Sequence, residues 1–224
     1  MEAGLILQHE DAGPPALFGD WCRRHAIDFE VRRVWEDGLP GDPARWGWIC
    51  ALGSEHAPGA ADAPAWVKEE VDFLSAALAA SVPVLGLCFG GQVLAAAAGA
   101  PIAPADPPEV GWLEVETTDP ERIPAGPWLH FHYDQLAVPA GGEELARSAA
   151  GPAAFALGPS LGLQFHPEGT PAIADAWALT DEERLVELGI SPSALAIEGL
   201  DQEAAAAAAA EGLFDAWWQR LNAA

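Results

Sequence analysis

One stretch constrains this chain more than any other: Val84-Leu-Gly-Leu-Cys-Phe-Gly-Gly-Gln92. An apolar run, Ser81-Val-Pro-Val-Leu-Gly-Leu87, has the composition of a buried strand. It runs into Cys88, and a helix of small residues follows at once, from Phe89 to Ala98, closed by Gly99. Gly86 and Gly90 flank the cysteine as G-x-C-x-G, which copies the logic of the nucleophile elbow. A sharp, strained turn holds the side chain out, and the glycines let strand and helix approach closely. The sulfur then sits at a helix N-terminus, where the dipole and free N–H groups favour thiolate. The N–H of Phe89 is positioned to donate to an oxyanion.

The rest of the first half repeats this strand–helix alternation. Gly4-Leu-Ile-Leu-Gln8 predicts a buried strand, about Pro15 to Arg24 a helix, and Phe29 to Val34 a second strand. Turn residues fill Asp37 to Pro43, and Trp46 to Leu52 predicts a third strand ending at Gly53-Ser54. Ala65 to Ala80 has helical spacing, with Val67, Val71, Leu74 and Leu78 on one side. The alternation predicts an α/β fold with a largely parallel sheet covered on both faces. From Glu109 the pattern changes to short strands between Pro and Gly turns: Trp112 to Thr117, Trp128 to His132, Leu136 to Val138 and Ala153 to Leu157. These predict a β-rich excursion with antiparallel pairing. Leu161 to Phe165 is the last clear strand. Helices resume at about residue 172 and run to about 223, the final one over Asp201 to Leu221 with Ala204–Ala210 as its interior. No repeat or linker interrupts the chain, so one domain over 1–224 is expected.

Composition removes several function classes. The formal charge is −24, from 34 acidic and 10 basic residues. Such a surface repels phosphate backbones and anionic bilayers, so neither nucleic acid nor membrane is expected as a partner. No run approaches the ~18 apolar residues of a bilayer span, and the N-terminus lacks a basic region followed by a long apolar stretch. Three widely spaced cysteines, Cys22, Cys50 and Cys88, form neither a disulfide framework nor a zinc pattern. A reducing cytoplasm is the expected compartment, with no metal and no cofactor.

The second chemical element is Leu163-Gln-Phe-His-Pro-Glu168. In an extended chain, residues two apart point the same way, so His166 and Glu168 share a side, with Pro167 fixing the backbone between them. Glu168 can hold one imidazole nitrogen while the other faces a thiol. Neutral His166 can then take the thiol proton and return it to a leaving amine. Cys22, in a helical stretch, and Cys50, inside an apolar strand, are expected to be structural. His9, His25, His56 and His130 are expected to be solvated, and the ten tryptophans to pack the core.

Together these segments resemble the class I (triad-type) glutamine amidotransferases. Pro83 to Gln92 is similar to their nucleophile motif and Gln164 to Glu168 to their histidine–glutamate motif; Gly53, Glu109-Val-Gly111 and His132-Tyr-Asp134 fall in the expected order. The resemblance runs from the first strand to about Thr170, roughly three quarters of the chain. It implies a flavodoxin-like three-layer α/β sandwich with a Cys88–His166–Glu168 catalytic triad. It also implies attack on a γ-carboxamide, a γ-glutamyl thioester and release of ammonia. Phe89 and the Gly53-Ser54 loop would supply oxyanion N–H groups, and Gln92 would line the substrate pocket. Phe131, Tyr133 and Asp134 would lie along its edge. The family loop usually carries two glycines. Here it reads Leu52-Gly-Ser-Glu-His-Ala-Pro58, and a positive φ at Ser54 would cost more than at Gly.

Three functions follow. The first is a glutaminase that feeds ammonia to a partner synthetase. The ~50 residues after the module are too few for a synthetase domain, and neither a P-loop nor a dinucleotide fingerprint is present. The second is a stand-alone hydrolase of γ-glutamyl peptides or amides. The third is a non-catalytic binding module, against which the intact triad argues.

Overall fold

The structure, a computed structural model, describes residues 2–223; Met1 and Ala224, the ends of the expected domain, lie outside them. In chain order the first half is β1 (Gly4–Gln8), α1 (Ala16–Arg24), β2 (Phe29–Arg33), α2 (Val34–Asp37), β3 (Trp48–Ala51), α3 (Ala65–Ala79), β4 (Val84–Leu87) and α4 (Phe89–Ala97). Then come β5 (Ile102–Leu113), β6 (Glu116–Thr117), β7 (Trp128–Leu136), β8 (Glu143–Arg147), β9 (Pro152–Leu157) and β10 (Ser160–Leu163). Helices α5 (Pro171–Thr180), α6 (Glu182–Glu187) and α7 (Pro192–Ala223) close the chain.

The main sheet has eight strands in the order β2-β1-β3-β4-β10-β9-β8-β6. The first five are mutually parallel, and β9, β8 and β6 continue it antiparallel. This is the mostly parallel sheet expected, in the doubly wound order that puts ligand sites at the carboxyl ends of the strands. Alternate strand residues feed two cores. Ile6, Cys50, Leu85, Leu87 and Leu163 pack with Phe18 and Trp21 of α1 and Phe214 and Trp217 of α7. Leu5, Leu7, Ile49, Ala51 and Val84 face Val67 and Leu74 of α3 and Val93 of α4 on the other side. Each fully buried Leu or Phe contributes roughly 1.5–3 kcal/mol. Strands buried on both faces explain why these runs are continuously apolar rather than alternating.

A separate antiparallel ribbon, β5–β7, forms part of the excursion, whose β6, β8 and β9 join the main sheet. The excursion departs from the expectation in three places. β5 begins at Ile102, because Pro104, Pro107 and Pro108 mask a strand whose register shifts between Pro104 and Glu109. Leu136 ends β7 instead of opening a strand of its own. β8 is a charged strand whose interior contribution is chiefly the buried Leu145 and Ala146. The last helix starts at Pro192, well before Asp201. Gly199 hid that start: a Cβ there would lie 2.9 Å from Trp112 Nε1, so packing on the ribbon requires a glycine inside the helix.

Candidate active site

Four neighbouring strands of the parallel sheet end at one edge, and their registers align the site. Leu7 pairs with Ala51, Ala51 with Gly86, and Leu87 with Leu163. Continuing those pairings past the strand ends sets His9, Gly53 and Cys88 in one row, with Gln164 beside them and His166 just beyond.

Cys88 is the junction of β4 and α4, at φ 50° and ψ −106°. A non-glycine residue there stores about 1–3 kcal/mol of strain. The surrounding glycines make the turn possible. A Cβ at Gly86 would meet the Gly90 carbonyl oxygen at 2.4 Å, one at Gly90 the Ala51 oxygen at 2.0 Å, and one at Gly91 the Leu163 oxygen at 2.3 Å. Strand and helix touch backbone to backbone, which no side chain permits. Cys88 Sγ lies 3.8 Å from Gln164 Nε2 and 3.9 Å from the Phe131 carbonyl oxygen.

His166 and Glu168 are both buried, and Glu168 Oε1 sits 2.8 Å from His166 Nδ1. The ring also packs on Trp177 of α5, whose Nε1–H donates to the Ala12 carbonyl. Burial alone would disfavour an imidazolium here. The neighbouring Cys88 and the hydrogen-bonded Glu168 carboxylate outweigh it and push His166 up to about 10. Burial raises the other two thiols, Cys22 to about 12 and Cys50 well above its usual value. All three cysteines are free.

A cleft of about 250 Å³ opens over this row. Cys88, His166, Ser54, Phe89, Gln92, Phe131, Tyr133 and Asp134 all line it. Gln92 Nε2 donates to the Asp134 carbonyl, tying α4 to the ribbon edge. Glu168 stands behind His166, away from the cleft. Gly53 packs against the imidazole: a Cβ there would be 2.7 Å from His166 Cε1. Neither Gly53 nor Ser54 has positive φ, so Gly53 is required for room rather than for backbone conformation, and Ser54 carries no φ penalty.

Several residues enter the site unforeseen. His9 is buried rather than solvated, with Nδ1 3.0 Å from the Gly53 oxygen and Nε2 2.8 Å from Glu70 Oε2. The signal was an acid on the apolar stripe of α3: Glu70 is fully buried between Val67 and Leu74. His130 is buried too, in a cluster with Glu109 and His132 whose ligand-type atoms lie 3.0 to 3.4 Å apart. Glu109 accepts from Ser148 Oγ and the Ala150 N–H as well. Burial would raise its pKa, but hydrogen bonds from His130, His132 and Ser148 hold it well below the usual carboxylate range. His132 Nδ1 faces the Asp134 carbonyl, so the cluster braces the cleft edge and has the residue types of a metal site. His25 is exposed as expected, whereas His56 is half-buried and lines the cleft. From α5 and α6, Thr180, Asp181 and Arg184 extend the lining; Tyr133 donates to Asp181, and Arg184 lies over the Tyr133 ring.

A side chain presented from a strand-to-helix elbow at the carboxyl edge of a parallel sheet defines a broad class of α/β proteins. Within that class this chain belongs to the class-I glutamine amidotransferases. The family model, Glutamine amidotransferase class-I, matches residues 57–183, more than half of the chain. A glutamine-hydrolyzing GMP synthase of Thermomicrobium roseum is 41% identical over 122 residues, 51% of this chain and 21% of that protein. A glutamine-hydrolyzing GMP synthase subunit from Ignicoccus hospitalis is 31% identical over 109 residues, 45% of this chain and 58% of that protein. The matched segment thus spans about a fifth of the first relative and little more than half of the second. A glutamine amidotransferase structure from Methylobacillus flagellatus superposes with a TM-score of 0.86 at 24% identity, over 98% of this chain and 95% of that one. Another from Thermotoga maritima gives 0.85 at 20%, over 99% of both chains. Those two likenesses establish the fold.

Proposed function

We propose that the chain hydrolyses the side-chain amide of L-glutamine through a cysteinyl γ-glutamyl thioester and releases ammonia for an acceptor on a partner synthetase. The observation that carries this reading is the elbow: Cys88 held at φ 50° beside a His166–Glu168 pair, in a chain of this family. The raised His166 value supports its role as the base that takes the Cys88 proton. The thiolate attacks the γ-carbonyl carbon, and the carbonyl oxygen takes up the charge. The N–H groups of Phe89 and the Gly53-Ser54 loop stabilise that oxyanion. Collapse breaks the C–N bond, and His166 gives its proton to the departing nitrogen, which leaves as ammonia. Water then adds to the thioester with His166 as base, releasing glutamate and restoring Cys88. Glu168 keeps the ring oriented and stabilises its charge. The kinship with GMP synthases supports a synthetase partner.

A γ-glutamyl amide or peptide is the second substrate class, favoured by one observation. The cleft extends past the elbow to Arg184 and Asp181, where a group larger than ammonia has room and a charged partner. The test is to incubate the purified chain with L-glutamine and with γ-glutamyl-p-nitroanilide. Equimolar glutamate and ammonia from the first, abolished by Cys88→Ala, is expected. Full activity in Cys88→Ala overturns the mechanism for either substrate.

A further inference from the structure

Beside the triad, the same sheet edge holds a second buried His–Glu pair that the reaction described above does not use. His9 follows β1 and Glu70 stands on α3. Both side chains are 0% exposed and 2.8 Å apart. The other ring nitrogen, Nδ1, lies 3.0 Å from the carbonyl oxygen of Gly53. A carbonyl only accepts, so Nδ1 carries a proton and donates it. Trp66 stacks on the ring with centroids 5.3 Å apart, and Phe89 meets it edge-on at 4.9 Å, so the imidazole has one orientation.

The consequence falls on the next N–H. The Gly53–Ser54 peptide is trans, and in a trans peptide the N–H points opposite to the C=O. With the Gly53 carbonyl turned toward buried His9, the Ser54 N–H is turned the other way. Ser54 lines the cleft that also holds Cys88 and Phe89. Among the described residues no backbone acceptor meets the N–H of Ser54 or Phe89. Leu52, before this peptide, is held by its N–H to the Leu7 oxygen and its oxygen to the Gly90 N–H, and the His56 N–H beyond it meets Ser54 Oγ; among the described residues the Gly53 carbonyl itself has His9 as its hydrogen-bond partner.

We propose that His9, anchored by Glu70, is a positioning residue that fixes the Gly53–Ser54 peptide and so presents the Ser54 N–H as the second oxyanion donor. The inference rests on the thioester mechanism above and adds to it the group that builds half of the oxyanion hole. It also explains an expensive feature. A His–Glu pair buried together costs desolvation, and aliphatic side chains would fill that space without this cost.

The test compares two variants that keep different halves of the ring. His9→Asn retains a donor near the Nδ1 position and loses the Glu70 partner. His9→Leu loses both. For an oxyanion role, His9→Leu lowers kcat by roughly 10²–10³ with KM nearly unchanged, the loss expected for one donor. His9→Asn recovers most of that kcat, although it is the variant that strands Glu70. Alkylation of Cys88 by iodoacetamide, which passes through no oxyanion, keeps its wild-type rate in both. A purely structural role predicts that activity follows melting temperature and that alkylation changes with it; that outcome overturns the proposal. A crystal structure of His9→Leu supplies a readout independent of turnover. A flipped or displaced Gly53–Ser54 peptide supports the proposal, and an unmoved one refutes it. If the wild-type chain hydrolyses neither glutamine nor γ-glutamyl-p-nitroanilide, the proposed function fails while the peptide orientation still decides the role of His9.

Discussion

At the scale of single residues, the three thiols sit in different surroundings. Burial pushes Cys22 to about 12 and raises Cys50, whereas Cys88 faces the cleft beside His166. Iodoacetamide should therefore modify Cys88 first, and peptide mapping that finds Cys22 or Cys50 labelled earlier would refute the assignment. Cys88→Ala should lower turnover by at least about 10⁴-fold while the protein stays folded, as read by circular dichroism. His166→Ala should be nearly as damaging, since it removes acid and base together. Glu168→Gln should keep roughly 10–100-fold more activity than His166→Ala, because Glu168 acts through the ring. The sign of the pH dependence follows from the raised His166 value. The protonated ring is stabilised in the fold fully below its ordinary 6.5, and that contribution is lost as pH rises through about 10. The rate should hold through neutral pH and fall on the alkaline side, and Glu168→Gln should move the fall to lower pH. A pH–rate profile of the two proteins checks this.

At the scale of elements, the glycines divide into those that let backbones meet and the one that leaves room for a ring. Gly90→Ala drives a Cβ to 2.0 Å from the Ala51 oxygen, and neither strand nor helix can yield cheaply. It should destabilise by about 1–3 kcal/mol or more, roughly 3–10 °C in melting temperature. Gly53→Ala meets only the His166 ring, at 2.7 Å, so it should lower kcat far more than it lowers the melting temperature. Calorimetry paired with steady-state kinetics separates the two. The strand-to-helix elbow was visible in the sequence because its glycines are local to it. The β5–β7 ribbon was only half visible, since three prolines and a register shift hid its first strand. The start of α7 was hidden by Gly199, whose reason lies on Trp112 of a different element.

At the scale of the whole molecule, function depends on whether the cleft is competent alone. If a synthetase completes the site, the purified chain should hydrolyse glutamine weakly and accelerate when the partner and its acceptor are added. If that partner is cationic where it meets this chain of formal charge −24, the activation should weaken as salt is raised. Vigorous hydrolysis of γ-glutamyl-p-nitroanilide by the chain alone, with glutamine a poor substrate, would favour the second reading. In that case Arg184→Ala should raise KM for γ-glutamyl substrates with a charged leaving group more than for glutamine. No helix of the described residues is long and apolar enough to cross a membrane.

The amino-acid sequence by itself determined the features that depend on near neighbours. These are the alternation of strands and helices, the elbow around Cys88, and the two-residue spacing that puts His166 and Glu168 on one side. Each is set by local geometry, through pleat period, glycine sterics and a fixed proline. Only the tertiary structure decided which distant residues share the sheet edge. His9 and Glu70 are 61 positions apart, and they meet because β1 lies beside β3 and α3 covers them. His9 looked like a solvated histidine because burial depends on what packs above a residue, which its sequence neighbours do not encode. The same holds for His130 and Glu109, joined by ribbon register, and for Arg184, brought over Tyr133 by the packing of α6. Strand order and helix packing are collective outcomes of burying two cores at once, and they assembled the supporting shell of a site whose central residues the local sequence already marked.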